Sequence, residues 1–275
     1  MKLTATDHYI LCVSVSHNSS AALMKNGQVL VAVQEERFEK IKNYHGYPLK
    51  SIDYCLAHEG ILGSDLESIS YTSTNLSGLA AKSKRTHNFT LEDWHDFFGE
   101  KYFEPKFRGE IDKILSYKKY LRDDPKFNTC VEYFDFDYLD DEKYLLDHSL
   151  DAEMFKLKQA LQISSHLKVD SKKIKFMDHH TCHAYYAYFA SPFREEPCII
   201  LTLDGMGDSR NQTVWQVTKD IPKLIVDSSE NDIGRVYKMA TLLLGMKPSE
   251  HEFKLMGMAP YAKEKYVESA MSILN

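Results

Sequence analysis

The sequence predicts an α/β fold of mixed sheets flanked by helices, in which an opening unit recurs. Three observations predict it. Runs of branched and aliphatic residues at 9–15 and 198–203 read as buried strands. Between them lie segments with helical spacing of apolar residues, at 49–57, 150–167 and 179–190. The unit of strand, tight polar loop and returning strand occurs near the start and again after residue 198, sharing physics more than letters.

In chain order, Tyr9 to Val15 is the first strand, followed by the polar loop Ser16-His17-Asn18-Ser19-Ser20. Ala21 to Met24 returns, Asn26-Gly27 is a strong hairpin signal, and Gln28 to Val33 completes a three-stranded antiparallel meander. Leu49 to Ala57 follows Pro48 as a helix closed by Gly60, and Ser68 to Thr72 returns to the sheet. Residues 75 to about 165 cluster aromatics, from Trp94 to Tyr138, among charges, with an amphipathic helix expected over Glu110 to Leu121. This stretch reads as an inserted, mostly helical subdomain. Leu150 to Leu167 is a further helix and Ile174 to Met177 a strand. Asp178 is a good N-cap for a helix over 179–190 that stops before Pro192. Cys198 to Leu203 is again a buried strand, Asp204-Gly205-Met206-Gly207-Asp208 a polar loop, and Thr213 to Val217 a returning strand. Glycine and short polar residues at such turns let backbone N–H groups approach an anion. Two turns facing each other across a cleft hold nucleotide phosphates in actin-like and sugar-kinase-like ATPases.

The 275 residues include 43% apolar side chains, ample for a buried core, in one large or two ordinary domains. With 34 basic against 40 acidic residues, a net charge of −6 and no basic block, nucleic acid is not an expected partner. The five cysteines are scattered with no Cys-x-x-Cys, which suits neither a disulfide framework nor a zinc ribbon and fits a reducing cytoplasm. No apolar signal core opens the chain and no run of about 18 apolar residues follows, so no targeting or membrane insertion is expected.

Asp178-His179-His180-Thr181-Cys182-His183-Ala184 carries the most chemistry. On a helix His179 and His183, four apart, project from one face and can hold one metal ion; His180 points about 100° away and stays open as a ligand. The sequence lacks the glutamate of a His-Glu-x-x-His zinc protease, so peptide hydrolysis is not its natural use. Taken alone, Lys42 and Lys254 read as solvated lysines and Glu35-Glu36 as a surface charge pair or a partner for Arg37.

Several motifs in order resemble the nodulation-type O-carbamoyltransferases, which include enzymes that carbamoylate antibiotics such as tobramycin and cephamycin. They are His17-Asn18-Ser19-Ser20-Ala21-Ala22, Glu35-Glu36-Arg37-Phe38 with Lys42 and Pro48, Asp178 to Ala184, Ser191-Pro192-Phe193, Leu203 to Asp208, and Lys254-Leu255-Met256-Gly257-Met258-Ala259-Pro260-Tyr261. The resemblance spans Tyr9 to Tyr261 and is weakest in the aromatic insertion. It implies an actin-like ATPase (RNase H-like) fold with duplicated lobes: residues 1–195 as the first lobe with its insertion, 196–275 as the beginning of the second. It also implies an adenylate-forming domain, in the rest of the chain or in trans, that makes carbamoyl-adenylate from carbamoyl phosphate and ATP. The actin-like domain then passes the carbamoyl group to a hydroxyl of a small-molecule acceptor.

On that pattern His179, His183 and Asp204 are implied ligands of iron or zinc, with a further aspartate beyond residue 275. His17 is the implied base for the acceptor hydroxyl, and Lys42 a contact to carbamoyl-adenylate. Ser19, Ser20, Gly205, Gly207 and Lys254 are the expected contacts to the nucleotide. The sequence departs from the family at Lys40, where arginine is usual, at Asp208, where glutamate is usual, and at Phe253, where glycine is common. The oligomeric state is left open, and the aromatic insertion is the expected seat of acceptor specificity. Two other readings remain on the residues: a non-catalytic metal- or nucleotide-binding scaffold needing a partner chain, and a metal-dependent hydrolase of unrelated chemistry.

Overall fold

The computed structural model describes residues 7–76, 78, 81, 90–98, 136–219, 221–231 and 233–274. Its first sheet has the order β3-β2-β1-β4-β5. Strands β1 (Tyr9–Ser14), β2 (Ser20–Lys25) and β3 (Gln28–Gln34) form the antiparallel meander. Asn26 and Gly27 both adopt positive φ, 51° and 80°, as a two-residue turn between antiparallel strands demands. Strand β4 (Leu66–Thr72) lies parallel to β1, and β5 (Ile174–Met177) parallel to β4.

Alternation decides which face is buried. Leu11, Val13, Leu23, Ile69 and Tyr71 point to one side, where α2 (Leu49–Glu59) brings Ile52, Cys55 and Leu56. Gly60 ends that helix at φ 66°, a left-handed cap that favours glycine. After the short α1 (Glu36–Glu39), α2 and α3 (Leu91–Phe98) come α4 (Glu142–Leu146) and α5 (His148–Leu167). Phe155, Ile163 and Leu167 of α5 join the same core, as do Phe136, Leu139 and Leu145. The part of the expected insertion from residue 136 onward therefore packs with the first sheet. The helix expected over Glu110 to Leu121 and most of the aromatic cluster lie outside the described residues.

The second sheet, β6-β7-β8, is an antiparallel meander of β6 (Cys198–Gly207), β7 (Arg210–Val217) and β8 (Lys223–Ser228). Helix α6 (His179–Phe189) covers one face, where Ala184 and Tyr188 meet Ile200, Trp215 and Val217. Then follow α7 (Ile233–Leu243), α8 (Glu252–Met258) and α9 (Val267–Leu274). The fold is thus a mixed α/β arrangement with a mixed sheet flanked by helices. No helix among the described residues is long and apolar enough to cross a membrane.

Two expectations are corrected and one strand is added. The polar loop expected from Asp204 is instead a continuation of β6: Leu203 pairs with Gln212 and Gly207 with Arg210, so Asp204, Gly205 and Met206 form a bulge opposite Asn211. Strand β8 was not expected at all. Glu35 and Glu36 are buried rather than a surface pair, although Glu36 does partner Arg37, whose Nη2 lies 3.6 Å from Oε1. The Glu35 carboxylate accepts the Lys50 and Ser51 N–H groups at 3.0 and 2.8 Å and the Ser51 hydroxyl at 2.6 Å, satisfying the open donors at the start of α2.

Candidate metal centre

Helix α6 starts where Asp178 Oδ1 accepts the Thr181 N–H at 3.0 Å, which sets the phase of every side chain after it. His179 and His183 then lie one turn apart on one face. His179 Nε2 is 2.6 Å from Asp204 Oδ2 and 3.0 Å from His183 Nε2, and His183 Nε2 is 3.5 Å from the same carboxylate oxygen. These three ligand atoms lie within 4.8 Å of one another.

The bulge in β6 aims Asp204 at the histidines. Its other oxygen, Oδ1, accepts the Gly205 N–H at 2.6 Å. Two glycines make the approach feasible: a Cβ on Gly207 would overlap the His179 ring, and one on Gly234 of α7 would lie 2.7 Å from Asp204 C and Gly205 N. The His179 and His183 hydrogen bonds hold the Asp204 pKa well below the usual carboxylate range. Burial opposes protonation of His179, but the Asp204 hydrogen bond and charge, helped by Asp208 and Asp178, outweigh it and raise its pKa.

His180, open as a ligand from sequence, is excluded by its surroundings. It is fully buried, with Nδ1 2.7 Å from Thr202 Oγ1 and Nε2 3.0 Å from the Arg210 carbonyl. The contacts continue from Thr202 Oγ1 to Thr213 Oγ1 at 2.5 Å, and the Trp215 indole N–H donates to Thr213 at 2.6 Å. A carbonyl only accepts and an indole N–H only donates, so Nε2 carries the proton and Nδ1 accepts from Thr202. Burial, aided by the His179 charge, lowers the His180 pKa against the pull of the Arg210 carbonyl, consistent with a neutral ring. Cys182 is no nucleophile: burial pushes its thiol up to about 12.

The remaining candidates lie apart from this trio in the chain. His17 is exposed in the β1–β2 turn and forms an isolated antiparallel bridge with His45. Ser19 is fully enclosed, its N–H donated to the Tyr44 carbonyl and its carbonyl accepting from Glu35 N–H. Lys42, 80% exposed, sits 3.3 Å from Glu36 Oε1. Lys254 is exposed on α8, whose preceding loop reaches the loop between α1 and α2 through an Asn43 Nδ2 to Ser249 carbonyl bond of 3.2 Å. Gly205 has open space where a Cβ would stand.

A cavity of about 480 Å³ is lined by Ser14 and Ser20, either side of the His17 turn, with Cys12, Gln34, Arg37 and Thr72. Thr72 ends β4, and the next residues, Ser73 to Asn75, bond to Asp208 beside the histidines. Sequence reasoning missed Asp208 as a structural member of the site. Its signals were a carboxylate immediately after Gly-Met-Gly and its place in the Leu203 to Asp208 motif, where the family usually has glutamate.

The family model described as Carbamoyltransferase N-terminus matches residues 9–274. Uncharacterized protein sll1178 of Synechocystis sp. is 29% identical over 255 residues, covering 92% of this chain and 34% of that protein. Nodulation protein NolNO of Sinorhizobium fredii is 26% identical over 246 residues, 89% of this chain and 28% of that protein. The chain thus spans about a third of the length of these curated relatives. YeaZ from Pseudomonas aeruginosa superposes with a TM-score of 0.36 at 10% identity, over 82% of this chain and 70% of that one, a likeness too distant to carry an argument. Since the family match runs from the first residue of β1 to the last of α9 and encloses both the histidine helix and the Asp204 bulge, the chain belongs to the carbamoyltransferase N-terminus family.

Proposed function

We propose that this chain is the transferase part of an O-carbamoyltransferase, holding a divalent iron or zinc ion on His179, His183 and Asp204. The observation that carries the reading is the convergence of three lone-pair atoms on one point. A single hydrogen on His179 Nε2 cannot serve both Asp204 at 2.6 Å and His183 at 3.0 Å, whereas one cation serves all three. Ligand atoms of a tetrahedral site with bonds near 2.0–2.1 Å stand about 3.3 Å apart. The observed 2.6, 3.0 and 3.5 Å bracket that spacing. Three protein ligands leave positions for a further ligand or a substrate oxygen.

When bound, the ion supplies electrostatic stabilisation of negative charge developing on a carbonyl oxygen. The chain supplies the rest. Asp204 stays ionised at neutral pH, and Gly207 leaves room for the His179 ring. His17, exposed beside the cavity, takes the acceptor hydroxyl proton as the acceptor oxygen bonds to the carbamoyl carbon and the carbon–oxygen bond to the adenylate phosphate breaks, releasing AMP. Such base assistance contributes about 10²–10⁴-fold. Lys42 and Lys254, both exposed cations, are the proposed contacts to the anionic leaving group, together with Ser19 and Ser20 at the end of the β1–β2 turn and Gly205 and Gly207 in the β6 bulge.

The carbamoyl donor would be carbamoyl-adenylate, made from carbamoyl phosphate and ATP by an adenylate-forming domain. The actin-like fold with duplicated lobes is part of the same proposal. It is supported by two antiparallel meanders, each with a short polar first turn.

Metal analysis and a carbamoyl-transfer assay with the adenylate-forming domain supplied test the reading. One ion per chain and transfer that depends on that domain are expected. His179→Ala and His183→Ala should each remove the ion, and unchanged metal content in both would falsify the assignment. Ester turnover without ATP or carbamoyl phosphate would instead identify a hydrolase.

A further inference from the structure

We infer that Asp208 is a positioning residue that fixes the His179 end of the metal centre to the first sheet, and so to the wall of the cavity beside the His17 turn. The inference rests on the metal-site reading above. Asp208 lies in the β6–β7 turn at φ 48°, and both its oxygens are saturated. Oδ1 accepts the Ser73 hydroxyl at 2.6 Å and the Asn75 N–H at 2.8 Å. Oδ2 accepts the Thr74 N–H at 2.9 Å and the His179 N–H at 2.7 Å. A carboxylate offers about four lone-pair sites, so Asp208 has none to spare for a metal. Its four donors come from two elements far apart in sequence: the loop leaving β4 and the first residue of α6.

The bond to His179 has a specific physical sense. The first N–H groups of a helix have no partner inside the helix, and that end carries partial positive charge. A carboxylate there is held firmly, and the residue it holds is itself a proposed ligand. Asp178 already caps Thr181, so α6 keeps a cap without Asp208. What Asp208 adds is location rather than helix formation. One hairpin thus provides a proposed ligand in Asp204, clearance for the ring in Gly207, and the fixing bond in Asp208. On the other side Ser73 to Asn75 continue directly from Thr72, which lines the cavity with Ser14 and Ser20. Asn75 Nδ2 donates to Ser209 Oγ at 2.8 Å, a second tie between the same loop and turn. The cavity wall and the proposed ligands therefore keep one relative position.

The test is Co²⁺ titration of the purified chain, read by visible d–d absorption, for the wild type and Asp208→Asn, Asp208→Glu, Ser73→Ala and His183→Ala. Asp208→Asn is expected to weaken Co²⁺ binding about 10- to 100-fold and to change the band shape, as loss of an outer partner of a metal ligand does. Asp208→Glu should recover part of the loss. Ser73→Ala removes one donor and should cost about fivefold, one hydrogen bond's worth. Phe155→Ala, destabilising but remote from these ligands, should leave affinity and spectrum unchanged in the folded protein, which separates positioning from stability. Binding lost in His183→Ala but unchanged in Asp208→Asn overturns this inference alone. Should Asp208→Asn fail to fold, an unchanged Ser73→Ala overturns the tie to the first sheet. A wild type that binds no Co²⁺, or that binds equally after His183→Ala, overturns the metal-site reading and this inference with it.

Discussion

Three histidines within five residues divide by direction. His179 and His183 face Asp204, while His180 faces inward and carries a chain of hydrogen bonds from the Trp215 indole on to the Arg210 carbonyl. His180→Ala would keep all three converging ligand atoms but leave Thr202 and the Arg210 carbonyl buried without their partner. It should lower stability by about 1–3 kcal/mol or more, seen in thermal melts, while metal content survives below the melting temperature. Glu36 gives a prediction of opposite character. Burial opposes its ionisation, but the Asn43 N–H at 2.9 Å and Lys42 outweigh it, so its pKa is lowered. A lowered carboxylate pKa contributes stability that is present above the unfolded value, about 4.3, and is lost as pH falls through the folded value. Glu36→Gln should therefore melt below the wild type at pH 7, with the gap closing on acidification below about pH 4. A constant gap would show that the charge contributes nothing.

Helix α6 and the β6 bulge make the candidate site as a pair, and each fails differently. Gly207→Ala puts a methyl group into the His179 ring, so the imidazole must swing away; reduced metal affinity with β6 still paired is the expected result. Phe155→Ala in α5 removes a fully buried ring stacked 5.7 Å from Phe136 and should cost about 3–5 kcal/mol in denaturant unfolding. Elements were legible in the sequence where their signals are local. Asn26-Gly27, Gly60 and Asp178 placed a hairpin, a helix end and a helix start because each acts on its own neighbours. Elsewhere the deciding contact is distant. Asp204-Gly205-Met206-Gly207 has loop composition and is strand only because Gly207 pairs with Arg210 across a bulge. Glu35 looked like surface charge because its partners, Lys50 and Ser51, follow 15 and 16 residues later. His180 was ambiguous for the same reason: the groups that occupy both its nitrogens belong to β6 and β7.

At the scale of the whole molecule the two sheets are finished to different degrees. The first has a continuous core, whereas the β6–β8 sheet is covered by α6 on one face and on the other leaves Ile199, Leu201 and Leu203 exposed at 65, 56 and 42%. Contiguous exposed apolar surface of this kind drives association. Leu201→Lys should reduce concentration-dependent light scattering of this chain with little change in melting temperature; equal scattering would place the sticky surface elsewhere. The tight β6–β7 turn has a practical consequence for anyone engineering the protein. Asp208 and Ser209, both at positive φ, form a two-residue surface hairpin tip, the kind of place usually chosen to graft a tag, insert a reporter or open new termini. Here the tip is stitched to Ser73, Thr74, Asn75 and His179, so a graft at this position would disconnect four anchors at once, while the Asn26-Gly27 tip offers a safer splice point.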